Sequence, residues 1–204
     1  MSHIEVFADI MCPFTHVGLR RLADARRERS LHGSVRVRAW PLELVNGAPI
    51  AADLAAREIA ALRATVAPDL FAGFDPAVFP RTSMPAFGLA AAAYTVNDEV
   101  GEGVSLAIRD ALFEDGRDVG DAQVLADIGD RFAVQPLSPS ITTAAVRADW
   151  ERGRARNVQG SPHFFVGDRD WFCPSLRIRH GDDETLLIEL ADETMRDFYA
   201  AALA

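Results

Sequence analysis

The sequence predicts an α/β fold in which two strand-containing portions flank a block of helices. An alternating apolar run at residues 4–8, a helical pattern and a second alternating run at residues 35–39 make up a β-α-β unit. The pattern is helical throughout from about residue 51 to residue 134. The last third of the chain predicts a helix, a β-hairpin and a final helix, so the order is β-α-β, helical insertion, α-β-β-α.

The first β-α-β unit is predicted from side-chain periodicity. Residues 4–8 alternate, with Ile4, Val6 and Ala8 on one face. The helix that follows has Pro13 in its first turn, where a missing N–H costs nothing. Gly33 ends the helical pattern, and residues 35–39 alternate apolar side chains with arginines, which predicts the second strand.

The helical block predicts an insertion into a single domain. Residues 1–50 and 136–204 are expected to form that domain, and residues 51–135 the insertion. Asp121 is predicted to cap one of the inserted helices. The apolar runs HFFV and WFCPSLRI surround the short loop GDRD, which predicts a β-hairpin, and the last helix is expected from about Ala191 to Leu203.

Composition excludes several classes of protein. The 204 residues carry 30 acidic and 21 basic side chains for a net charge of −9, and every basic side chain is arginine. The densest basic run, residues 20–29, mixes arginines with acids and is interpreted as a solvated helix face, so we expect no nucleic-acid partner. The longest apolar stretch, residues 86–94, is too short for a membrane span, and the start of the chain predicts a strand. We therefore expect a cytoplasmic protein with no membrane partner; the oligomeric state stays open.

Cys12 is the first candidate for chemistry. It lies where a strand meets a helix, and the amino end of a helix stabilises a thiolate. The position predicts a lowered pKa for Cys12, although a lone cysteine is also compatible with an inert core residue. The second candidate is Pro162, just before a predicted strand, a place typical of a strand start, a cis turn or an ordinary loop.

Four segments carry a family resemblance: FADIMCPFTHVG, TSMPAFGLAAAA, ALFEDGRDVGDAQVLADI and VQGSPHFFVGDRDWFCPSL. Together they resemble the DsbA-like branch of the thioredoxin superfamily. The matching subgroup includes cytoplasmic DsbA-type oxidoreductases, 2-hydroxychromene-2-carboxylate isomerases and kappa-class glutathione transferases. The resemblance implies a thioredoxin fold with an all-helical insertion. It also implies that Cys12 lies opposite Pro162, with the Ser161 backbone free to pair with an extended peptide or a bound thiol.

The chain departs from the family pattern in two places. Oxidising members have a second cysteine where this chain has Thr15, whereas isomerase and transferase members commonly have serine in place of the first cysteine and hold glutathione. The Thr15 hydroxyl is expected either to stabilise the Cys12 thiolate or to cap the helix. In the insertion, residues 82–87 lack the Asn and the His of the family's Asn-Thr-x-x-Ala-His segment.

Cys173 is a candidate for the missing second thiol. A hairpin turn centred on Asp168 and Arg169 would place Cys173 across from Phe164, at the same end of the sheet as Cys12. A shift of one register would direct its sulfur into the core instead. We hypothesise that Cys12 and Cys173 approach closely enough to form a disulfide.

Further residues near these segments are candidates for supporting roles. Substrate or thiol binding is expected of Pro13, Phe14, Ser161 and His163, with packing as the alternative for Phe14. Asp9 and His16 are possible proton relays; Asp9 is also compatible with a helix cap and His16 with an exposed surface position. His3, His32 and His180 have no metal-ligand spacing, so no metal site is expected.

The leading hypothesis is a thiol-disulfide oxidoreductase with Cys12 as the nucleophile of a CPxT site. Its mixed disulfide would be resolved by Cys173 or by a low-molecular-weight thiol. No tightly bound cofactor is expected; glutathione or mycothiol is the candidate cosubstrate, and a small thiol or a disulfide-containing protein or peptide the partner. One alternative is a thiol-dependent isomerase or transferase acting on an electrophilic aromatic substrate. Another is a non-enzymatic module that binds a thiol or peptide.

Overall fold

The computed structural model describes residues 3–31, 35–181 and 185–203. The predicted helix break at Gly33, and His32, lie outside these residues. Strand β1 (Ile4–Ala8), helix α1 (Pro13–Glu28) and strand β2 (Val35–Ala39) follow one another, and the two strands pair in parallel. The predicted β-α-β unit is confirmed, and its second strand ends at Ala39.

The main sheet has four strands. Strands β3 (His163–Val166) and β4 (Arg169–Phe172) complete the order β2-β1-β3-β4, with β3 antiparallel to β1. All five residues of β1 are buried because both faces of the sheet are covered, whereas β2 alternates between buried and half-buried residues. The fold is therefore the thioredoxin type predicted from the sequence.

Helix α7 (Pro139–Ala155) approaches one face of this sheet closely at Gly153. A Cβ atom added there would lie 2.5 Å from a ring atom of Trp40 and 3.0 Å from one of Phe7. Phe7, Trp40 and Phe165 form a buried aromatic cluster under the helix. The absence of a side chain at Gly153 is thus what lets α7 cover this cluster.

The helical insertion follows a short helix α2 (Leu42–Asn46). It contains α3 (Ala52–Thr65), a 3₁₀ turn (Pro76–Val78), α4 (Met84–Val96), α5 (Asp98–Phe113) and α6 (Ala122–Arg131). The predicted cap is present, since the Asp121 carboxylate accepts hydrogen bonds from the N–H groups of Gln123 and Val124. The final helix, α8, spans Asp192–Ala202. None of the helices in the described ranges is long and apolar enough to cross a membrane.

The arginines of α1 attach that helix to the insertion. Arg20 pairs with Asp110, Arg26 pairs with Glu102 at 2.5 Å, and Arg21 donates to the carbonyl of Val66 at 2.8 Å. The interpretation of residues 20–29 as a solvated face is therefore wrong for these three side chains. Two acidic residues of α5 and the Val66 carbonyl, all far along the chain, hold this side of α1 in place.

The hairpin differs from its predicted register. Its turn lies at Gly167 and Asp168, and β3 pairs with β4 so that Phe164 faces Trp171. The predicted pairing of Cys173 with Phe164 is wrong, because Cys173 follows the end of β4. Cys173 has a left-handed backbone with φ of 45°, and its carbonyl accepts a turn hydrogen bond from the N–H of Leu176.

The predicted run WFCPSLRI is therefore divided between two sheets. Strand β5 (Leu176–His180) pairs with β6 (Leu186–Leu190) in a separate two-stranded sheet that the sequence did not predict. Pro174, which has no N–H to donate, lies in the break between β4 and β5. This break places Cys173 in a turn beside the end of the main sheet.

Candidate active site

Cys12 occupies the N-cap position of α1, and Pro13 follows at the first helical position. The Cys12 carbonyl accepts the first helical hydrogen bond, from the N–H of His16 at 3.3 Å. The side chains of Ile10 and Met11 beside it are buried, and Cys12 itself is only 3% exposed. The sulfur therefore lies at the positive end of the α1 dipole but beneath the surface.

The turn that ends at β3 faces this sulfur. The Ser161–Pro162 peptide bond is cis, and the Cys12 thiol donates to the carbonyl of Ser161 at 3.3 Å. A Cβ added at Gly18 of α1 would lie 3.6 Å from Pro162, so α1 packs directly against the turn. Cys12 and Pro162 are thus neighbours, as the resemblance implied. The Ser161 carbonyl, expected to be free, is instead bonded to the thiol.

Two buried hydroxyl groups lie beside the sulfur. Thr15 Oγ1 and Ser161 Oγ are 2.8 Å apart, and Ser161 Oγ also accepts from the N–H of Asp9 at 2.8 Å. Thr15 makes no capping hydrogen bond for α1, whose N-cap is Cys12 without a side-chain cap. Of the two roles expected for Thr15, the helix cap is wrong. Its hydroxyl instead connects the helix to the cis turn.

Burial governs the acidity of Cys12. It raises the pKa of the thiol to about 11, and the carboxylate of Glu58 adds to the increase. The Thr15 hydroxyl, the Thr15 N–H and the Ser161 side chain act in the opposite direction, since they stabilise the thiolate. The predicted lowering of the Cys12 pKa is therefore wrong for this closed arrangement, in which desolvation outweighs the helix end and the hydrogen bonds.

Asp9 is buried at the end of β1 and organises the backbone around the site. Its carboxylate accepts from the N–H of Met11 at 2.7 Å and from the N–H of Leu42 at 2.6 Å. Burial raises the pKa of Asp9 to about 6, although these two bonds and the charge of Arg109 lower it. Asp9 thus joins the segment before Cys12 to the start of α2. Its role as a proton relay stays a prediction.

Arg109 is a buried cation that sequence reasoning missed. It lies on α5, is 1% exposed, and donates to the carbonyl of Asp9 at 3.1 Å and to Ser105 Oγ at 2.7 Å. Burial lowers the pKa of Arg109 to about 10, while the charges of Asp9, Tyr94 and Cys12 act to raise it. The sequence could have indicated the burial of Arg109. This residue lies one turn from Ser105 and close to Leu112, on the stripe of α5 that faces the core.

His16 and His163 have structural contacts. The His16 ring is buried, its Nε2 lies 2.6 Å from Glu114, and it packs on Phe113. The expectation of an exposed His16 is wrong, and its relay role stays a prediction. His163 Nδ1 accepts from the N–H of Gln159, and Nε2 bonds to Asp170 at 2.9 Å.

The His163 ring also packs on Phe165, on the face of the sheet opposite Phe164. Phe164 contacts α1, since a Cβ at Gly18 would lie 3.6 Å from its ring. His163 therefore lies on the face of the sheet opposite α1, because successive strand residues point to opposite faces, and its role in substrate or thiol binding stays a prediction.

Cys173 lies on the other side of the cis turn. Its N–H donates to the carbonyl of Pro162 at 2.9 Å, so the two cysteines contact consecutive carbonyl groups, those of Ser161 and Pro162. Burial raises the pKa of the Cys173 thiol to about 12, and the charge of Cys12 contributes. Both thiols are free in this structure. Their pairing stays a prediction.

Other predicted binding residues contribute mostly to packing. Pro13 is buried, and Phe14 is half-buried against the main hydrophobic cluster. In the insertion, Thr82 and Ser83 donate their hydroxyl hydrogens to the carboxylate of Glu43 on α2, at 2.8 Å each. The hydroxyl groups of this segment are thus already hydrogen-bonded to Glu43 of the same chain.

The main sheet has four strands, and a cysteine at the amino end of the first helix faces a cis-proline turn. These features define the class of thioredoxin-fold proteins that have a cysteine at this position. The chain belongs to the family of the DSBA-like thioredoxin domain, whose model matches residues 3–178. No curated protein sequence matches the chain.

Two solved structures illustrate the fold similarity. A structure of the cytosolic disulfide reductase DsbM from Pseudomonas aeruginosa with GSH matches with a TM-score of 0.64 at 16% identity, covering 98% of each chain. A 2-hydroxychromene-2-carboxylate isomerase matches with a TM-score of 0.57 at 17% identity, covering 83% of this chain and 87% of that one. At these identities the similarity shows the shared fold.

Proposed function

We propose that the protein is a thiol-disulfide oxidoreductase in which Cys12 is the nucleophile. The observation that carries the proposal is the position of the Cys12 sulfur, at the amino end of α1 and 3.3 Å from the carbonyl that precedes Pro162. Family membership supports thiol-disulfide chemistry in general. Family membership does not extend to two finer points, the assignment of a CPxT active site and the identity of the thiol that resolves the mixed disulfide. Both are part of our proposal.

The reaction proceeds through two exchanges. The Cys12 thiolate attacks a substrate disulfide R–S–S–R′, forming a Cys12–S–S–R mixed disulfide and releasing R′–S⁻, which takes up a proton. A second thiol then attacks the mixed disulfide. If it is Cys173, beside the same cis turn, it attacks the Cys12 sulfur, a Cys12–Cys173 disulfide forms and R–S⁻ leaves and takes up a proton; an external thiol must then reduce this disulfide to regenerate Cys12. If it is a low-molecular-weight thiol R″–SH such as glutathione or mycothiol, it attacks the sulfur of R, R–S–S–R″ forms and Cys12 leaves as the thiolate. Because the similar structure of DsbM is one with GSH, glutathione is the first cosubstrate to test.

Thr15 stabilises the thiolate in this scheme. Ser161 Oγ accepts from the Asp9 N–H and shares a hydrogen bond with Thr15 Oγ1 in which either hydroxyl can be the donor. With Ser161 as the donor, the Thr15 hydrogen is available to the Cys12 sulfur, whose pKa this hydroxyl lowers. A threonine in place of the second cysteine thus supports the attacking sulfur but provides no thiol that could resolve the mixed disulfide.

A second candidate function is favoured by the burial of Cys12. A thiol with its pKa raised to about 11 is a weak nucleophile in the closed state. In a thiol-dependent isomerase or transferase, a bound thiol such as glutathione would attack an electrophilic aromatic substrate, and Cys12 would only help to hold that thiol. Activity that survives in Cys12→Ser and requires glutathione would select this candidate over the leading one.

The expected setting of the reaction is also part of the proposal. We place the protein in the cytoplasm, where small thiols are abundant and reducing conditions favour a reductase. The fold similarity to DsbM, a cytosolic disulfide reductase, supports this placement. The partner is a small disulfide or a disulfide-containing protein or peptide.

The proposal is tested by following disulfide exchange with oxidised glutathione in four chains: wild type, Cys12→Ser, Cys173→Ala and the double variant. Intact mass should show one glutathione added to Cys12 in wild type and in Cys173→Ala, and none in either chain that lacks Cys12. Later loss of that glutathione with a 2 Da decrease from the reduced mass, in wild type only, would identify Cys173 as the resolving thiol. No adduct on Cys12 at any pH from 6 to 10 would contradict the oxidoreductase proposal.

A further inference from the structure

Glu5 is a buried carboxylate on β1, an inner strand of the main sheet, and is only 3% exposed. Arg38 of β2 donates to Glu5 Oε1 through Nε. Arg156, just past the end of α7, donates to Glu5 Oε2 through Nη1 at 2.5 Å. Both carboxylate oxygens therefore have a cationic partner, which is the condition under which a buried charge is tolerated.

A third arginine on the same carboxylate exceeds that requirement. Arg152 lies one turn before Arg156, and its Nε is 3.3 Å from Glu5 Oε1. The Arg152 side chain is 51% exposed, and its two terminal amino groups have no partner within the residues that the structure describes. Asp149 pairs with Arg38 at 2.8 Å, so three guanidinium groups face two carboxylates. The cluster keeps a surplus positive charge on a chain whose net charge is −9.

Two of these arginines line a recess of about 410 Å³. Besides Glu5, Arg152 and Arg156, its walls include His3 and residues 165–167, at the end of β3. These residues surround the start of β1, whereas Cys12 follows the end of that strand. The recess and the Cys12 site therefore lie at opposite ends of the main sheet.

Arg156 is held in a fixed orientation at the wall of this recess. Its Nη2 donates to the Gly167 carbonyl at 3.0 Å, and its guanidinium carbon lies 3.9 Å from the centroid of the Phe165 ring. A guanidinium group has five N–H donors, and Arg152 and Arg156 use only a minority of theirs in the contacts described. The recess thus combines a preorganised cation with a half-exposed one, and both have donors to spare.

Unused guanidinium donors in a recess suit an oxyanion. The planar fork of arginine binds carboxylate or phosphate oxygens through paired, charge-assisted hydrogen bonds. Glu5 is the one acidic side chain that lines the recess among the described residues, and arginines already occupy both of its oxygens. An entering anion would therefore meet the free donors of Arg152 and Arg156, which no acid of the recess takes up.

We propose that this recess is a binding site for a compact oxyanion with two or more negative charges, of the phosphate or dicarboxylate type. Arg156 supplies the fixed contact, and Arg152 closes on the anion from α7. The site does not involve Cys12, so its occupation is independent of the proposed disulfide exchange.

Inorganic pyrophosphate and succinate are the probes, titrated by calorimetry at constant ionic strength because salt screens exposed charges. Wild type and Cys12→Ser should each bind one anion per chain with the same affinity. Arg152→Gln should bind about tenfold more weakly, and Arg152→Lys, which keeps the charge but not the fork, should lie between them. Binding of pyrophosphate alone assigns the phosphate type, binding of succinate alone the dicarboxylate type, and binding of both a general oxyanion site.

Arg147→Gln is the matched control, because it removes an exposed arginine from a part of α7 that does not line the recess. It should bind the probes as wild type does. Arg152→Gln should still unfold cooperatively in urea, since Glu5 keeps Arg38 and Arg156. Equal weakening in Arg147→Gln and Arg152→Gln would indicate diffuse attraction to arginines and overturn the site. An unchanged affinity in Arg152→Gln, or no saturable binding of either probe to wild type, would also overturn it.

Discussion

Replacing Thr15 by Val tests how the site stabilises a thiolate without a second cysteine. Val has nearly the shape of Thr but lacks the hydroxyl that lies 2.8 Å from Ser161 Oγ and lowers the Cys12 pKa. A hydrogen bond to a charged group contributes about 1.5 to 3 kcal/mol. Because one pH unit corresponds to about 1.4 kcal/mol, the Cys12 pKa should rise by about one to two pH units.

The expected consequence is a thiolate population about 10 to 100 times smaller at any pH below the pKa. The assay is the rate of Cys12 alkylation by iodoacetamide against pH, in the Cys173→Ala background. Thr15→Ser keeps a hydroxyl and should stay close to the parent. Thr143→Val, which removes an exposed hydroxyl bonded to the Pro139 carbonyl on α7, is the control for a Thr-to-Val change elsewhere. An alkylation profile of Thr15→Val that coincides with the parent would refute the role of this hydroxyl.

Two further expectations concern stability. Burial would raise the pKa of Glu114, but hydrogen bonds from His16 and two backbone N–H groups outweigh it and lower this pKa from 4.5 to about 2. The stabilisation, about 1 to 2 kcal/mol once solvent screening of this partly exposed carboxylate is allowed for, is present above pH 4.5 and is lost as the pH falls toward 2. Glu114→Gln should therefore destabilise the protein at pH 7 and less at pH 3 in urea unfolding. An equal loss at both pH values would contradict this assignment. Gly153→Ala should lower the unfolding free energy by about 1 to 3 kcal/mol, because its Cβ would lie 2.5 Å from Trp40. Gly18→Ala should not lower the unfolding free energy, because its Cβ would meet nothing closer than 3.6 Å. A smaller loss of unfolding free energy in Gly153→Ala than in Gly18→Ala would contradict this expectation and show that α7 has room to move.

Local periodicity was sufficient to predict much of the fold. The alternation at residues 4–8 and 35–39 predicted both parallel strands, and the Asp121 cap identified the start of α6. The resemblance predicted that Cys12 and Pro162 would be neighbours, which no local pattern could indicate, since they lie 150 residues apart in the sequence. Family membership confirms the basis of that expectation. The insertion boundaries at residues 51 and 135 stay a prediction.

The expectations that were wrong concerned features set mainly by contacts between residues far apart in the sequence. The burial of Cys12 reverses the pKa expected from its helix position, because desolvation is set by the elements that cover the sulfur. His16 is held by Glu114 and an aromatic neighbour on the insertion, which a helical pattern alone does not reveal. The hairpin register was wrong because the turn lies at Gly167 and Asp168 rather than at Asp168 and Arg169, which puts Phe164 opposite Trp171 instead of Cys173. The left-handed backbone at Cys173 also divides the predicted run of residues 171–178.

The hydrogen bond from the Cys12 thiol to the Ser161 carbonyl has a thermodynamic consequence for substrate recognition. Only the protonated sulfur can donate this bond, so ionisation of Cys12 leaves the carbonyl without its donor. A peptide N–H that takes the place of the thiol at this carbonyl removes a bond that stabilises the neutral thiol. Peptide docking and proton release are therefore linked and must favour each other by the same free energy. A substrate that binds the cis turn as an extended strand would thereby acidify the sulfur that attacks it.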